Sequence, residues 1–159
     1  MANVAQSRDL FSGILPYDPA NFDDYVFAFK NKMTLQNHHN ILNGTEIRPP
    51  PTPSTATEEE AARLRKLRKK FETRNTTICR AIVDSITKAS HRYPAEVKTA
   101  LAAVRSAPEN DGLACWTALL KHHNDASLQN KIQACNDLNA IMSSITFAMT
   151  FNMTNNYSQ

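Results

Sequence analysis

From Thr57 onward the chain carries thirty residues that only a single long helix accommodates easily. Thr57 with Glu60 three positions later is a capping box, and Glu58 and Glu59 add negative charge where the helix dipole favours it. Leu64, Leu67, Phe71, Ile78, Ile82 and Ile86 then recur at helical spacing, with a gap near Asn75. One helix over roughly 58–88 is the simplest account, and an element of that length sets the architecture of a 159-residue chain. Glycine agrees. Only 3 residues are Gly, against roughly 7% in ordinary proteins, which leaves little for the tight turns of β folds. It leaves nothing for a Gly-rich phosphate loop or a dinucleotide fingerprint. The expectation is an all-α fold, a bundle of five to six helices.

The remaining helices follow from the same periodicity. Residues 1–15 read as a flexible arm ending in Leu10, Phe11, Ile14 and Leu15, and Pro16 and Pro19 forbid a helix interior after it. Asn21 stands as an N-cap ahead of Asp23 and Asp24, and Phe22, Tyr25, Phe29 and Met33 mark one face of a helix to about Asn37. Ile41 and Leu42 lead into the turn signal Asn43-Gly44. Residues 48–57 carry four prolines and read as an extended, exposed loop. Pro94 suits the first turn of a short helix carrying Val97, Leu101 and Val104. A helix from Gly112 to His123 places Leu113, Trp116, Leu119 and Leu120 inward, and Ser127 opens a last one with Leu128, Ile132, Cys135, Leu138 and Met142 as its stripe. Apolar Ile145, Phe147, Met149 and Phe151 extend it. The helical domain thus covers 16–143, followed by an extension over 144–159. Phe22, Met33, Phe71, Ile78, Ile82, Trp116, Leu119, Leu128 and Ile132 are the expected core anchors.

Charge is informative by position. Residues 57–105 hold twelve Lys and Arg against six Asp and Glu, a local excess of six, while the whole chain carries +3. The excess concentrates in Arg63, Arg65, Lys66, Arg68, Lys69, Lys70 and Arg74. Such a run is commonly a solvated helix face; its functional reading is a contact with nucleic-acid phosphates or another polyanion. Base stacking has only Phe71 nearby, on the apolar stripe. The pairs His38-His39 and His122-His123 cannot chelate one ion, because neighbours on a helix point about 100° apart. Cys79, Cys115 and Cys135 are widely spaced with no Cys-x-x-Cys, the pattern of buried free thiols in a reducing compartment. No nucleophile elbow or metal motif stands out, so no enzyme activity, cofactor, metal or small-molecule substrate is expected. Met1–Arg8 lacks the apolar core of a signal peptide, Ala2 stands where myristoylation needs Gly, and no apolar run reaches membrane-spanning length. A cytoplasmic protein without a membrane partner is the expectation.

Several of these positions together resemble the Gag polyprotein of copia-type LTR retrotransposons, in its capsid region. Phe11-Ser-Gly13, then Phe22 and Tyr25 with Met33 and Leu35, is similar to that family's F-x-G…Y-x-x-W…M-x-x-x-L opening, with Tyr25 where Trp is usual. Ile41-Leu42-Asn43-Gly44 before the proline loop is similar to L-x-x-V-x-G, and Asn75 to Ile86 follows D-x-x-A-x-x-x-I-x-x-x-I loosely. Ala114-Cys115-Trp116 with Leu119 and Leu120 is similar to A-x-E-A-W-x-x-L-x-x-x-Y, with His122 or His123 in place of the final aromatic. The likeness spans residues 10–142. The family's zinc knuckle and protease motif are missing, which points to a capsid amino-terminal domain stopping where a second lobe would open, near 144–159. The resemblance implies a structural protein that assembles with itself, in pentamers or hexamers, into virus-like particles packaging RNA. Apolar residues on more than one face of the first helix (Tyr25, Val26, Phe27 and Phe29) are then expected at a subunit interface, and the basic run at RNA. The rival readings are a helical adaptor that docks through Pro49–Pro53 or the first helix, and a monomeric nucleic-acid-binding module acting through residues 63–74.

Overall fold

The computed structural model describes residues 13–156, with side chains described through Met142. Its elements are helices α1 (Phe22–Leu35), α2 (His39–Leu42), α3 (Glu58–Lys88), α4 (Pro94–Arg105) and α5 (Gly112–Asn156), with no strand among the described residues. The fold is all-α. Two compact units divide the chain, Met1–His123 and Asn124–Gln159, so the division falls twenty residues before the boundary expected at 143. Leu10 and Phe11, and most of the arm expected over 1–15, lie outside the described residues.

In the first unit, α1 begins where expected, but a different side chain organises its start. Asn21 makes no capping bond. Instead Asp18 Oδ1 accepts from the backbone N–H groups of Ala20 (3.0 Å) and Asn21 (3.2 Å), and from the Tyr93 hydroxyl (3.0 Å). The side-chain amide of Asn21 donates to Asp18 Oδ2 at 3.2 Å. These donors, Asn21 foremost, hold the Asp18 carboxyl below its ordinary pKa. The segment before α1 also bonds to α3, through Tyr17 N–H to Ser85 C=O at 2.9 Å.

Asn37, at φ +57°, separates α1 from α2, and only Asn, Asp and Gly tolerate that left-handed conformation readily. The one-turn α2 that follows turns Ile41 and Leu42 into the core, where sequence reading found only a turn. The capping box of α3 forms: Thr57 Oγ1 accepts from Glu60 N–H (3.3 Å), and Glu60 Oε2 from Thr57 N–H (3.1 Å). Pro94 occupies the first turn of α4, which buries Val97, Ala100 and Val104.

The gap near Asn75 in the α3 stripe is where α5 begins. A Cβ on Gly112 would lie 2.6 Å from Ile78 Cβ and 2.7 Å from the Asn75 carbonyl oxygen, so only glycine admits this approach. Asn75 Oδ1 accepts the Gly112 N–H at 2.9 Å, and Asp111 Oδ1 accepts that of Ala114 at 3.1 Å. Both satisfy donors that a helix start leaves open.

Helix α5 runs 45 residues without the break expected between His123 and Ser127. Asn124-Asp125-Ala126-Ser127 looks like a capping signal. Without Gly or Pro, however, such residues cost a helix interior only about 0.5 kcal/mol each, too little to stop it.

The core of the first unit contains the anchors Phe22, Met33, Phe71, Ile78, Ile82, Trp116 and Leu119. Leu128 and Ile132 do not belong to it: they lie in the second unit and are 56% and 46% exposed. That unit is one helix among its described residues, and a lone helix has no second layer against which to bury a stripe.

Candidate functional site

Tyr25, Val26, Phe27 and Phe29 were expected at a subunit interface, and for Tyr25 and Phe29 the structure corrects this. Tyr25 and Phe29 are each 2% exposed. Phe29 stacks on Trp116 at 4.9 Å and 11°, while Tyr25 meets Tyr17 edge-on at 5.5 Å. Ser85 Oγ donates to Ile82 C=O (2.8 Å) and so accepts from the Tyr25 hydroxyl at 2.7 Å. Burial raises the pKa of Tyr25 and pushes Tyr17 up to about 12. Val26 is half-buried against this cluster. Residues at a spacing of three and four share one helix face, so Tyr25 and Phe29 follow Phe22 and Met33 inward. Phe27, some 100° per residue out of that register, is the one that stays exposed, at 69%.

The basic run divides in two. Arg74 is held inside the unit: its Nη1 and Nη2 donate to the Glu46 carboxylate at 2.7 and 2.9 Å, and Nη2 also reaches the Asn37 carbonyl. Arg68 Nε donates to Glu72 Oε1 (3.2 Å), which Arg48 shares at 2.6 Å. Those two guanidinium groups, Arg48 foremost, hold the Glu72 carboxyl below its usual range. Arg65 reaches Glu58 at 3.2 Å. Arg63, Lys66, Lys69 and Lys70 are exposed and have no ion-pair partner among the described residues. These four form the cationic face available to a ligand.

Beside Arg74 lies His38, the first residue of one of the histidine pairs. His38 is 7% exposed, and neither ring nitrogen has a hydrogen-bond partner. Burial first, then the nearby Arg74 cation, lowers its pKa. Its neighbour His39 is exposed. At the other histidine pair, His123 stacks on Phe22 at 3.7 Å with its pKa lowered by burial, and His122 Nε2 lies 3.3 Å from Thr99 Oγ1. The paired histidines therefore serve separate environments.

Two cysteines meet across α3 and α5. Cys79 Sγ lies 2.9 Å from Cys115 Sγ, and burial together with this neighbour pushes the Cys115 thiol up to about 12. Of the three thiols expected to be buried, Cys115 is buried, Cys79 is half-buried and Cys135 is exposed. A groove of about 650 Å³ opens beside α2, lined by Ile41, Phe71 and Leu113 and by Arg48, Glu72 and Asp111. It holds no paired nucleophile and base.

In the second unit, helix α5 exposes Leu128, Ile132, Leu138, Ile141 and Met142. They supply half of the ten large apolar side chains exposed among the described residues. No helix among the described residues is long and apolar enough to cross a membrane. Comparison with protein-family models, with curated proteins and with solved structures found no match to this chain.

Proposed function

We propose that this chain is a structural, non-enzymatic unit that assembles with itself, a capsid-like protein of the Gag type that its sequence pattern resembles. The observation that carries the reading is the row of exposed apolar side chains on α5 from Leu128 to Met142. Exposed rows of this kind mark interaction surfaces in soluble proteins, and identical copies supply a partner at no loss of specificity. This reading puts the assembly surface on the exposed stripe of α5.

The four unpaired cations of the basic run on α3 favour a second role within the same reading, contact with RNA phosphates. If each neutralises one phosphate of single-stranded RNA, the logarithm of the binding constant falls with the logarithm of salt at a slope of about −3. Replacing Arg63, Lys66, Lys69 and Lys70 by Glu is expected to abolish RNA retention.

Negative-stain electron microscopy and light scattering of the purified chain, with and without RNA, test the proposal. Closed particles of uniform size are the expected result. A monomer at every concentration and salt refutes it. A monomer that still binds RNA with a steep salt slope would mark instead a nucleic-acid-binding module acting through residues 63–74.

A further inference from the structure

The exposed stripe of α5 has an internal symmetry. Leu128, Ile132, Leu138 and Met142 lie at −7, −3, +3 and +7 from Cys135, and all five positions are exposed. At about 100° per residue, all fall within roughly 60° of one line along the helix. Lys131 and Asn139, at −4 and +4, fall inside the same band. The band therefore reads the same in both directions: apolar answers apolar at ±3 and ±7, and polar answers polar at ±4. The opposite face is mixed, with Asn130, Gln133, Asn136 and Asp137 beside Ala140 and the exposed Ile141, and Gln133 Nε2 donates to Asp137 Oδ1 at 2.8 Å.

A surface that repeats itself on reversal is what a two-fold axis perpendicular to a helix requires, because in an isologous contact each residue meets its mirror position. We infer that residues 128–142 form an antiparallel helix pair with the same residues of a second copy of this chain, with Cys135 on the two-fold axis. Leu128 of one copy then meets Met142 of the other, and Ile132 meets Leu138. Charge selects the orientation. Lys131 is the only cation between residues 126 and 142. In a parallel pair it would face its own copy, two like charges in an apolar seam; in the antiparallel pair it faces the Asn139 amide, whose oxygen accepts from the ammonium. A lone helix is marginal in water even with good helix formers, and this one is rich in Asn, so a second copy supplies the layer it lacks. The inference rests on the self-assembly reading and names its interface.

Disulfide trapping on the full chain tests it. With copper phenanthroline as oxidant, two Cys135 thiolates each lose one electron and form one S–S bond. The expected product is a covalent dimer that persists in Cys79→Ser and Cys115→Ser and disappears in Cys135→Ser. For orientation, Leu128→Cys and Met142→Cys are made separately in the Cys135→Ser background. In the antiparallel pair, two copies of position 128 sit about 21 Å apart along the helices, so only the mixture of the two variants cross-links. Self-linking of Leu128→Cys alone overturns the orientation and the inference with it. Sedimentation velocity gives an independent arm: Leu128→Asp with Leu138→Asp is expected to halve the mass of the smallest species while near-ultraviolet circular dichroism of the first unit stays unchanged. An unchanged mass overturns the inference. Particles that still form from that double variant refute this interface and leave the assembly proposal standing, whereas trapped dimers without particles do the reverse.

Discussion

Replacing Gly112 by Ala sets two effects of opposite sign against each other. Within a helix, Ala is ordinarily favoured over Gly by about 0.5–1 kcal/mol. Here the added Cβ would stand 2.6 Å from Ile78 Cβ, 2.8 Å from Ile78 Cγ2 and 2.7 Å from the Asn75 carbonyl oxygen. A Cβ and a backbone oxygen cannot rotate aside, so α3 and α5 must separate. Overfilling a close contact of this kind costs about 1–3 kcal/mol, and separation also lengthens the bond from Gly112 N–H to Asn75 Oδ1. The net expectation is a loss of about 1–2 kcal/mol. For a unit of this size that lowers the melting temperature by about 3–10 °C. Thermal unfolding followed by near-ultraviolet circular dichroism measures the change. Asn75→Ala is the companion variant: it leaves the Gly112 N–H without its acceptor and should cost about 1–3 kcal/mol. A Gly112→Ala protein as stable as the parent, or more so, would show that the helices are not in contact here and that propensity alone governs the site.

Three further expectations concern the same unit. Phe29→Ala should cost about 3–5 kcal/mol, because it empties a buried site stacked on Trp116, whereas Phe27→Ala should stay within about 0.5 kcal/mol in urea titrations; equal costs would contradict the inward assignment of Phe29. His38 and His123 both have lowered pKa values, mainly through burial. Above the unfolded value of about 6.5 both states are neutral, and as pH falls below it the unfolded chain takes up protons that the fold excludes, so stability drops. His38→Met should flatten the dependence of the urea midpoint on pH below that value, and an unaltered slope would count against the burial of His38. Thiol labelling with Ellman's reagent should modify Cys135 rapidly and Cys115 only upon unfolding, and prompt reaction of all three cysteines would be at odds with the burial of Cys115.

What was readable in the chain was readable because it was local. The start of α3 is written in Thr57 and Glu60, the start of α4 in Pro94, and the inward faces of α1 and α3 in their spacing. What escaped depended on distant partners. Asn37 and Ile41 reveal α2 only once the backbone turns left-handed between the helices. Arg74 belongs to the basic run by sequence, yet Glu46, 28 residues away, holds it within the fold. Tyr25 was expected at an interface, and Ser85, 60 residues away, draws it inside. Leu128 and Ile132 carry the same periodicity as true core positions, since spacing records an apolar face but not what covers it. The break expected at Asn124–Ser127 failed for a related reason: capping residues permit a helix end without enforcing one.

Six cations crowded onto two turns near the start of α3, four of them without an ion-pair partner among the described residues, have a mechanical consequence for that segment. Neighbours three and four positions apart, such as Arg63 with Lys66 and Lys66 with Lys70, repel by about 0.2–0.5 kcal/mol per pair, and Leu64 and Leu67 nearby are only partly covered. Dissolved salt screens that strain and should slow amide exchange along residues 60–70. The same ions compete for any polyanion and weaken its hold. Ionic strength therefore tightens this stretch of backbone while loosening its grip on a ligand.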